Sequence, residues 1–246
     1  MIKFFLAKPQ RRQRTQSFFY FFLCNPLRLC EKHFMEAKYI SVPKTARYYT
    51  LGNLNKHTEN IWFVCHGYGQ LANYFIKNFQ VLDNEKNYVI APEGLHRFYT
   101  SGMLGRVGAT WMTSEDRLND IKDYVNYLNQ LYFELLQDID TENVTINILG
   151  FSQGAATVCR WIASRKIRFD KLILWAGIFP PDLDFKINRD LQKAKIYLVY
   201  GDQDEFFKKE TLDIYLSELK KNNITAEIIR FKGGHEITDQ ALKKIF

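Results

Sequence analysis

From residue 61 onward, short apolar runs alternate with amphipathic stretches, and this alternation limits the fold more than any other feature of the chain. The runs at 61–65 (IWFVC), 88–91 (YVIA), 144–149 (VTINIL), 172–175 (LILW), 196–200 (IYLVY) and 226–231 (AEIIRF) have the length and composition of strands. Helical patterns lie between or after them, at 72–82, 114–137, 153–164, 208–222 and 237–246. In the longest, Leu118, Ile121, Val125, Leu128, Leu131 and Leu135 form one stripe, with Thr113 and Asp116 supplying a cap and an acidic first turn. The stretch 92–113 reads as a glycine-containing loop. Such apolar runs, interleaved with helices, predict an α/β fold with a mostly parallel central sheet covered by helices on both faces. In such sheets the chemistry gathers beyond the carboxyl ends of the strands.

Charge divides the chain differently. The whole sequence of 246 residues carries 34 Lys+Arg against 27 Asp+Glu, a formal +7 that invites an anionic partner. Residues 1–34 hold Lys3, Lys8, Arg11, Arg12, Arg14, Arg28 and Lys32 against the single acid Glu31. The remainder has 27 basic and 26 acidic side chains, a net charge of +1, so nucleic-acid binding is not expected of it. The division predicted is a basic, aromatic extension over 1–34 and a domain over 35–246. Three readings of the extension stand: a non-native segment before a start at Met35, a peripheral membrane tether, or a cleaved signal. The last fits least, since residues 17–24 are short and aromatic and no small-x-small cleavage site follows. The 20 Phe and 14 Tyr exclude a disordered chain, and no apolar run approaches the roughly 18 residues of a membrane span. Cys24, Cys30, Cys65 and Cys159 form no C-x-x-C pair or zinc spacing, so reduced thiols in a cytoplasmic protein, with peripheral membrane contact as the variant, are the expectation.

The loops after the strands carry the chemistry. Gly150-Phe151-Ser152-Gln153-Gly154 joins the strand at 144–149 to the helix at 153–164. A serine on so tight a turn lifts its hydroxyl clear of the sheet, and the helix N-terminus behind it offers free N–H groups to a developing oxyanion. A serine nucleophile needs a base, and His235 follows the last strand in Lys232-Gly233-Gly234-His235-Glu236. The base needs a carboxylate, and Gly201-Asp202-Gln203-Asp204 ends the strand at 196–200. Composition does not choose between Asp202 and Asp204. The order Ser, Asp, His is that of α/β-hydrolases. His66-Gly67-Tyr68-Gly69 follows the strand at 61–65; the N–H groups of Tyr68 and Gln153 would form the oxyanion hole, and His66 braces the loop. The same glycines also read as a dinucleotide fingerprint, Gly67-x-Gly69-x-x-Ala72, with Glu93 as its acid, but that leaves Ser152 and His235 without a role. No P-loop or H-E-x-x-H motif occurs, and no cofactor or metal is expected.

On these residues the chain resembles the phospholipase/carboxylesterase group of α/β-hydrolases, which includes acyl-protein thioesterases. The resemblance runs from about Tyr39 to the C-terminus and rests on His66-Gly67-Tyr68-Gly69, the GFSQG turn at Ser152, Gly201-Asp202-Gln203-Asp204 and Gly234-His235-Glu236. It implies an α/β-hydrolase fold without a large lid domain, Asp204 as the acid, and action on carboxylic esters or thioesters. The chain departs from the pattern at Tyr200, where His is usual, at Glu205-Phe206-Phe207, which replaces an apolar-Val-Pro run, and at Gln70, where Asp is common.

The expected activity is therefore that of a serine esterase working through an acyl-enzyme on Ser152, with a small ester or acyl compound as substrate. A membrane-associated lipase or phospholipase and a non-catalytic hydrolase-fold binding protein are the alternatives. The loop at 95–112 contains Phe98, Tyr99, Met103, Leu104, Trp111 and Met112, and reads either as an apolar flap over the site or as ordinary packing. Trp111, Met112 and Phe179 are the candidate substrate contacts.

Overall fold

The computed structural model describes residues 35–183, 189–206 and 209–246, and the extension at 1–34 lies outside them. The chain separates into two units, Met1–Pro43 and Lys44–Phe246. Within the first, residues 35–43 form neither helix nor strand.

Seven strands make the main sheet of the second unit: β1 (Tyr48–Leu51), β2 (Asn60–Cys65), β3 (Asn87–Pro92), β6 (Thr145–Phe151), β7 (Lys171–Trp175), β8 (Lys195–Gly201) and β9 (Ala226–Phe231). Their order is β1-β3-β2-β6-β7-β8-β9. All neighbours are parallel except β1, which pairs with β3 antiparallel. The sequence pattern gave no sign of β1, because Tyr48, Tyr49, Thr50 and Leu51 alternate between exposed and half-buried positions at the sheet edge.

Period-two alternation splits the inner strands between two cores. Ile61, Phe63, Cys65, Ile146, Ile148, Leu172, Leu174, Ile196 and Leu198 face one side. There they meet the helices α2 (Arg117–Leu136), α3 (Gln153–Ala163) and α4 (Lys209–Lys221). Trp62, Val64, Leu149, Phe151, Ile173, Trp175, Tyr197 and Val199 face the other, against α1 (Ala72–Phe75) and α5 (Asp239–Leu242). Helices thus cover both faces, as the alternation requires.

Four details differ from the pattern reading. The stretch 72–82 is one short α-turn, α1, that tightens into a 3-10 helix over Ile76–Leu82. In α2 the buried face is set by Tyr124, Leu128, Leu131, Tyr132 and Leu136, and Leu118 is 73% exposed. Asp116 sits at the N-cap but makes no cap hydrogen bond; its carboxylate accepts from Asn119 instead. The 92–113 stretch is a hairpin of β4 (His96–Tyr99) and β5 (Val107–Thr110), not a loop. Its strands are four residues each, too short for alternation to register against the Ser101-Gly102-Met103-Leu104-Gly105 turn.

The register aligns the strand ends. Cys65 lies beside Gly150, Phe151 beside Trp175, Trp175 beside Val199, and Gly201 beside Phe231. The segments that carry His66, Ser152, Ala176, Asp204 and His235 therefore all leave one edge of the sheet.

Candidate active site

Ser152 is the one residue between β6 and α3. Its φ of 53° and ψ of −115° lie outside the ordinary regions for a residue with a Cβ. Neighbouring backbone holds it there: the Ser152 N–H donates to the Trp175 carbonyl at 2.8 Å, and its own carbonyl accepts from the Ala155 N–H at 3.0 Å. The turn needs glycine because of close approach. A Cβ on Gly154 would stand 2.2 Å from the Cys65 carbonyl oxygen, so only glycine lets α3 start against the end of β2.

The ladder between β8 and β9 continues past the strand ends. The Asp202 N–H donates to the Phe231 carbonyl and the Gln203 N–H to the Gly233 carbonyl, both at 2.9 Å. A Cβ on Gly201 would meet the Gly233 and Gly234 carbonyl oxygens at 2.3 and 2.4 Å. This crossing brings the Asp204 carboxylate within 2.8 Å of His235 Nδ1. The second carboxylate oxygen accepts from the Phe206 N–H at 2.9 Å. The Asp204 side chain is fully buried and His235 keeps 23% of its surface. An ionised carboxylate can only accept, so Nδ1 carries the hydrogen and Nε2 of the neutral ring is free to take a proton. Among the described residues, two aromatic rings touch the imidazole: Phe151, next to Ser152, at 4.8 Å between centroids, and Phe206 at 5.0 Å. Of the two carboxylates that composition left open, Asp204 is the one hydrogen-bonded to His235. Asp202 does not meet His235; it accepts from the Gly233 N–H at 3.2 Å and lies 3.7 Å from Arg230.

In the loop after β2, the Gly67–Gln70 stretch is pinned at three of its four N–H groups. Gly67 donates to the Gln70 side chain at 2.8 Å, Gly69 to the Ala109 carbonyl at 2.8 Å, and Gln70 to the Gly67 carbonyl at 3.3 Å. Among the described residues the Tyr68 N–H has no acceptor. The Gln153 N–H opens α3, where the first N–H groups have no partner within the helix. Gln70 is thus explained: it folds the loop by accepting from Gly67.

His66 is fully buried beneath this loop. The Gly94 N–H donates to its Nε2 at 2.9 Å, so Nε2 is unprotonated and Nδ1 donates to the Gly67 carbonyl at 2.8 Å. Burial pushes the His66 pKa down to about 4. Its ring cannot serve Ser152 as a base, and the bracing role expected of it matches these contacts.

Two of the three candidate substrate contacts need correction. Trp111 is fully buried; its indole N–H donates to the His66 carbonyl at 2.9 Å and its ring lies 5.1 Å from the His66 ring. Phe179 is 1% exposed and stacks on Tyr215. Both are core residues beside the site, placed there because an aromatic ring after a strand end finds more apolar contact inward than outward. Met112 is half-buried, with its sulfur 3.5 Å from Arg160 Nη1.

Pattern reading also passed over two devices. The Gln153 side chain donates to the Met112 carbonyl and to Thr110 Oγ1 and accepts from the Trp111 N–H, so the residue after Ser152 ties α3 to the hairpin. Arg160, on the buried face of α3, forms two hydrogen bonds with Asp182, which also pairs with Arg117 at 2.7 Å. The Arg160 contacts hold the Asp182 carboxyl below the usual carboxylate range. A lone arginine within an apolar helix was the available signal.

The dinucleotide reading fails on Glu93. Its carboxylate is fully buried, paired with Arg47 and Arg97, and accepts from the Ala72 N–H that opens α1, so it is not available to a ribose. Cys65 and Cys159 are free and buried, and burial pushes both thiols up; Cys24 and Cys30 lie outside the described residues. No helix of the described residues is long and apolar enough to cross a membrane.

The family model described as phospholipase/carboxylesterase matches residues 52–246. No curated protein matches. Among solved structures, acyl-protein thioesterase 2 of Zea mays superposes with a TM-score of 0.61 at 16% identity, covering 82% of this chain and 96% of that one. A phospholipase/carboxylesterase from Dyadobacter fermentans gives 0.61 at 16% identity over 83% and 96% of the two chains. YahD with malic acid gives 0.60 at 17% over 82% and 98%.

Proposed function

The chain belongs to the phospholipase/carboxylesterase family, hydrolases of the carboxylesterase/thioesterase type with the α/β-hydrolase fold, and on that premise we propose that it is a serine hydrolase using Ser152, Asp204 and His235 on carboxylic esters or thioesters. The observation that carries this reading is the 2.8 Å hydrogen bond between Asp204 and His235 Nδ1, made beyond the ends of β8 and β9 at the same end of the sheet as Ser152. It leaves His235 Nε2 free to accept the hydroxyl proton of Ser152 as the oxygen attacks the substrate carbonyl. Charge then gathers on the carbonyl oxygen, where the N–H groups of Tyr68 and Gln153 are its donors. The buried Asp204 stabilises the imidazolium that forms. Collapse expels the alcohol or thiol with the proton from His235 and leaves an acyl-Ser152. Water, deprotonated by the same histidine, releases the acid.

This chemistry needs no metal or cofactor. The non-catalytic alternative is disfavoured by the paired Asp204 and His235, which a binding module has no reason to keep. The test is hydrolysis of short p-nitrophenyl esters by the wild type and Ser152→Ala. The expected loss in kcat/KM is about 10³-fold or more. A wild type without turnover, or a variant that keeps it, overturns the reading.

A further inference from the structure

We infer that Phe206 is the wall of the site that receives the alcohol or thiol portion of the substrate, so that the enzyme favours esters of apolar alcohols; this rests on the serine-hydrolase reading above. Phe206 is 80% exposed. A solvent-facing phenylalanine is ordinary by itself, but this one is held against His235. Its ring lies 5.0 Å from the imidazole at an interplanar angle of 62°, and its N–H donates to the Asp204 carboxylate at 2.9 Å. The ring position is therefore tied to both the acid and the base. Phe151 packs on the same imidazole at 4.8 Å but is 4% exposed, so it already supplies the buried support for His235. Phe206 adds apolar surface that the fold leaves in water.

The chemistry says what that surface meets. In acylation the Ser152 oxygen bonds to the carbonyl carbon and its proton moves to His235 Nε2. The bond from that carbon to the leaving oxygen or sulfur then breaks as the proton passes from Nε2 to the leaving atom. The leaving atom must come within hydrogen-bond reach of the imidazole to receive it. A ring in edge contact with that imidazole lies beside the substituent on the leaving atom. The carbonyl oxygen, by contrast, faces the N–H groups of Tyr68 and Gln153. Phe206 thus reads the leaving group, and its effect belongs to acylation, because the alcohol has departed before water attacks.

The test compares methyl, butyl and benzyl acetate, and separately methyl acetate, butanoate and octanoate, with the wild type, Phe206→Ala and Phe206→Leu. Each result is a ratio of kcat/KM values within one protein, so a difference in folded fraction cancels. The benzyl-to-methyl ratio is expected to fall about tenfold in Phe206→Ala and to stay intermediate in Phe206→Leu. The acyl-chain ratios are expected to hold within about twofold across all three proteins. An alcohol ratio unchanged in Phe206→Ala, or acyl ratios that fall in step with it, overturns the inference while leaving the hydrolase reading intact. A wild type that hydrolyses none of these esters brings down the hydrolase reading, and this inference with it.

Discussion

The two flanks of Ser152 are built on opposite plans. On the β2 flank most of the loop is tied down around the Tyr68 N–H: His66 is buried, Trp111 hydrogen-bonds its carbonyl, Gln70 folds the turn, and the Gln153 side chain clamps the hairpin behind it. On the β8 flank the Asp204–His235 pair is anchored by backbone crossings, yet it ends in an aromatic ring that is 80% exposed. The difference follows from what each flank does in the proposed mechanism. Donors to an oxyanion act through preorganisation and gain nothing from mobility. A base that passes a proton to a departing group needs an accessible face.

This contrast can be attacked from the largest effect downward. Asp204→Asn is expected to lower kcat/KM on the order of 10³–10⁴-fold by replacing the carboxylate that fixes the His235 tautomer and stabilises its imidazolium. Asp202→Asn, at a carboxylate that among the described residues meets Gly233 and Arg230, is expected to cost less than about tenfold. Steady-state kinetics of the two decide it, and the reverse order would transfer the acid role to Asp202.

On the braced flank, Trp111→Phe leaves the buried His66 carbonyl without its indole donor. Urea unfolding should show a loss of about 1–3 kcal/mol, accompanied by a lower kcat. Phe206→Ala should show no comparable loss of stability, since its ring is already in water. Equal destabilisation by the two would erase the distinction between the flanks.

Acid provides a third probe. His66 titrates near 4 in the fold against an ordinary 6.5, so between those values the unfolded chain binds the proton that the native state refuses. Its contribution to stability is fully present above pH 6.5 and is lost as pH falls toward 4, to a total of about 3 kcal/mol. Thermal unfolding across this window should steepen more in the wild type than in His66→Gln; parallel curves would remove His66 from the brace.

The smallest effect concerns the charge at the N-terminus. Deleting residues 1–34 removes most of the formal +7 and should change ester turnover by no more than about twofold. A clear loss would make the extension part of the working enzyme.

The parts that were legible in the sequence are those governed by local rules. Largely apolar runs marked every parallel strand, and the glycines around Ser152, Asp204 and His235 marked the turns where backbones cross. Features that depend on partners distant in sequence were not legible. β1 alternates like a surface strand, and the β4–β5 hairpin is too short to show a period. Trp111 and Phe179 looked like mouth residues, because composition does not reveal which side of a strand end a ring will take. Which of Asp202 and Asp204 meets His235 depended on where β9 passes β8, a register set by pairing between distant segments.

The central claim is that Ser152 becomes covalently acylated. Treating the wild type with a fluorophosphonate and mapping the adduct by peptide mass spectrometry tests it most directly. One phosphonylated site is expected, at Ser152, absent from Ser152→Ala and strongly slowed in Asp204→Asn. An adduct on another residue, or labelling that persists in Ser152→Ala, would contradict it.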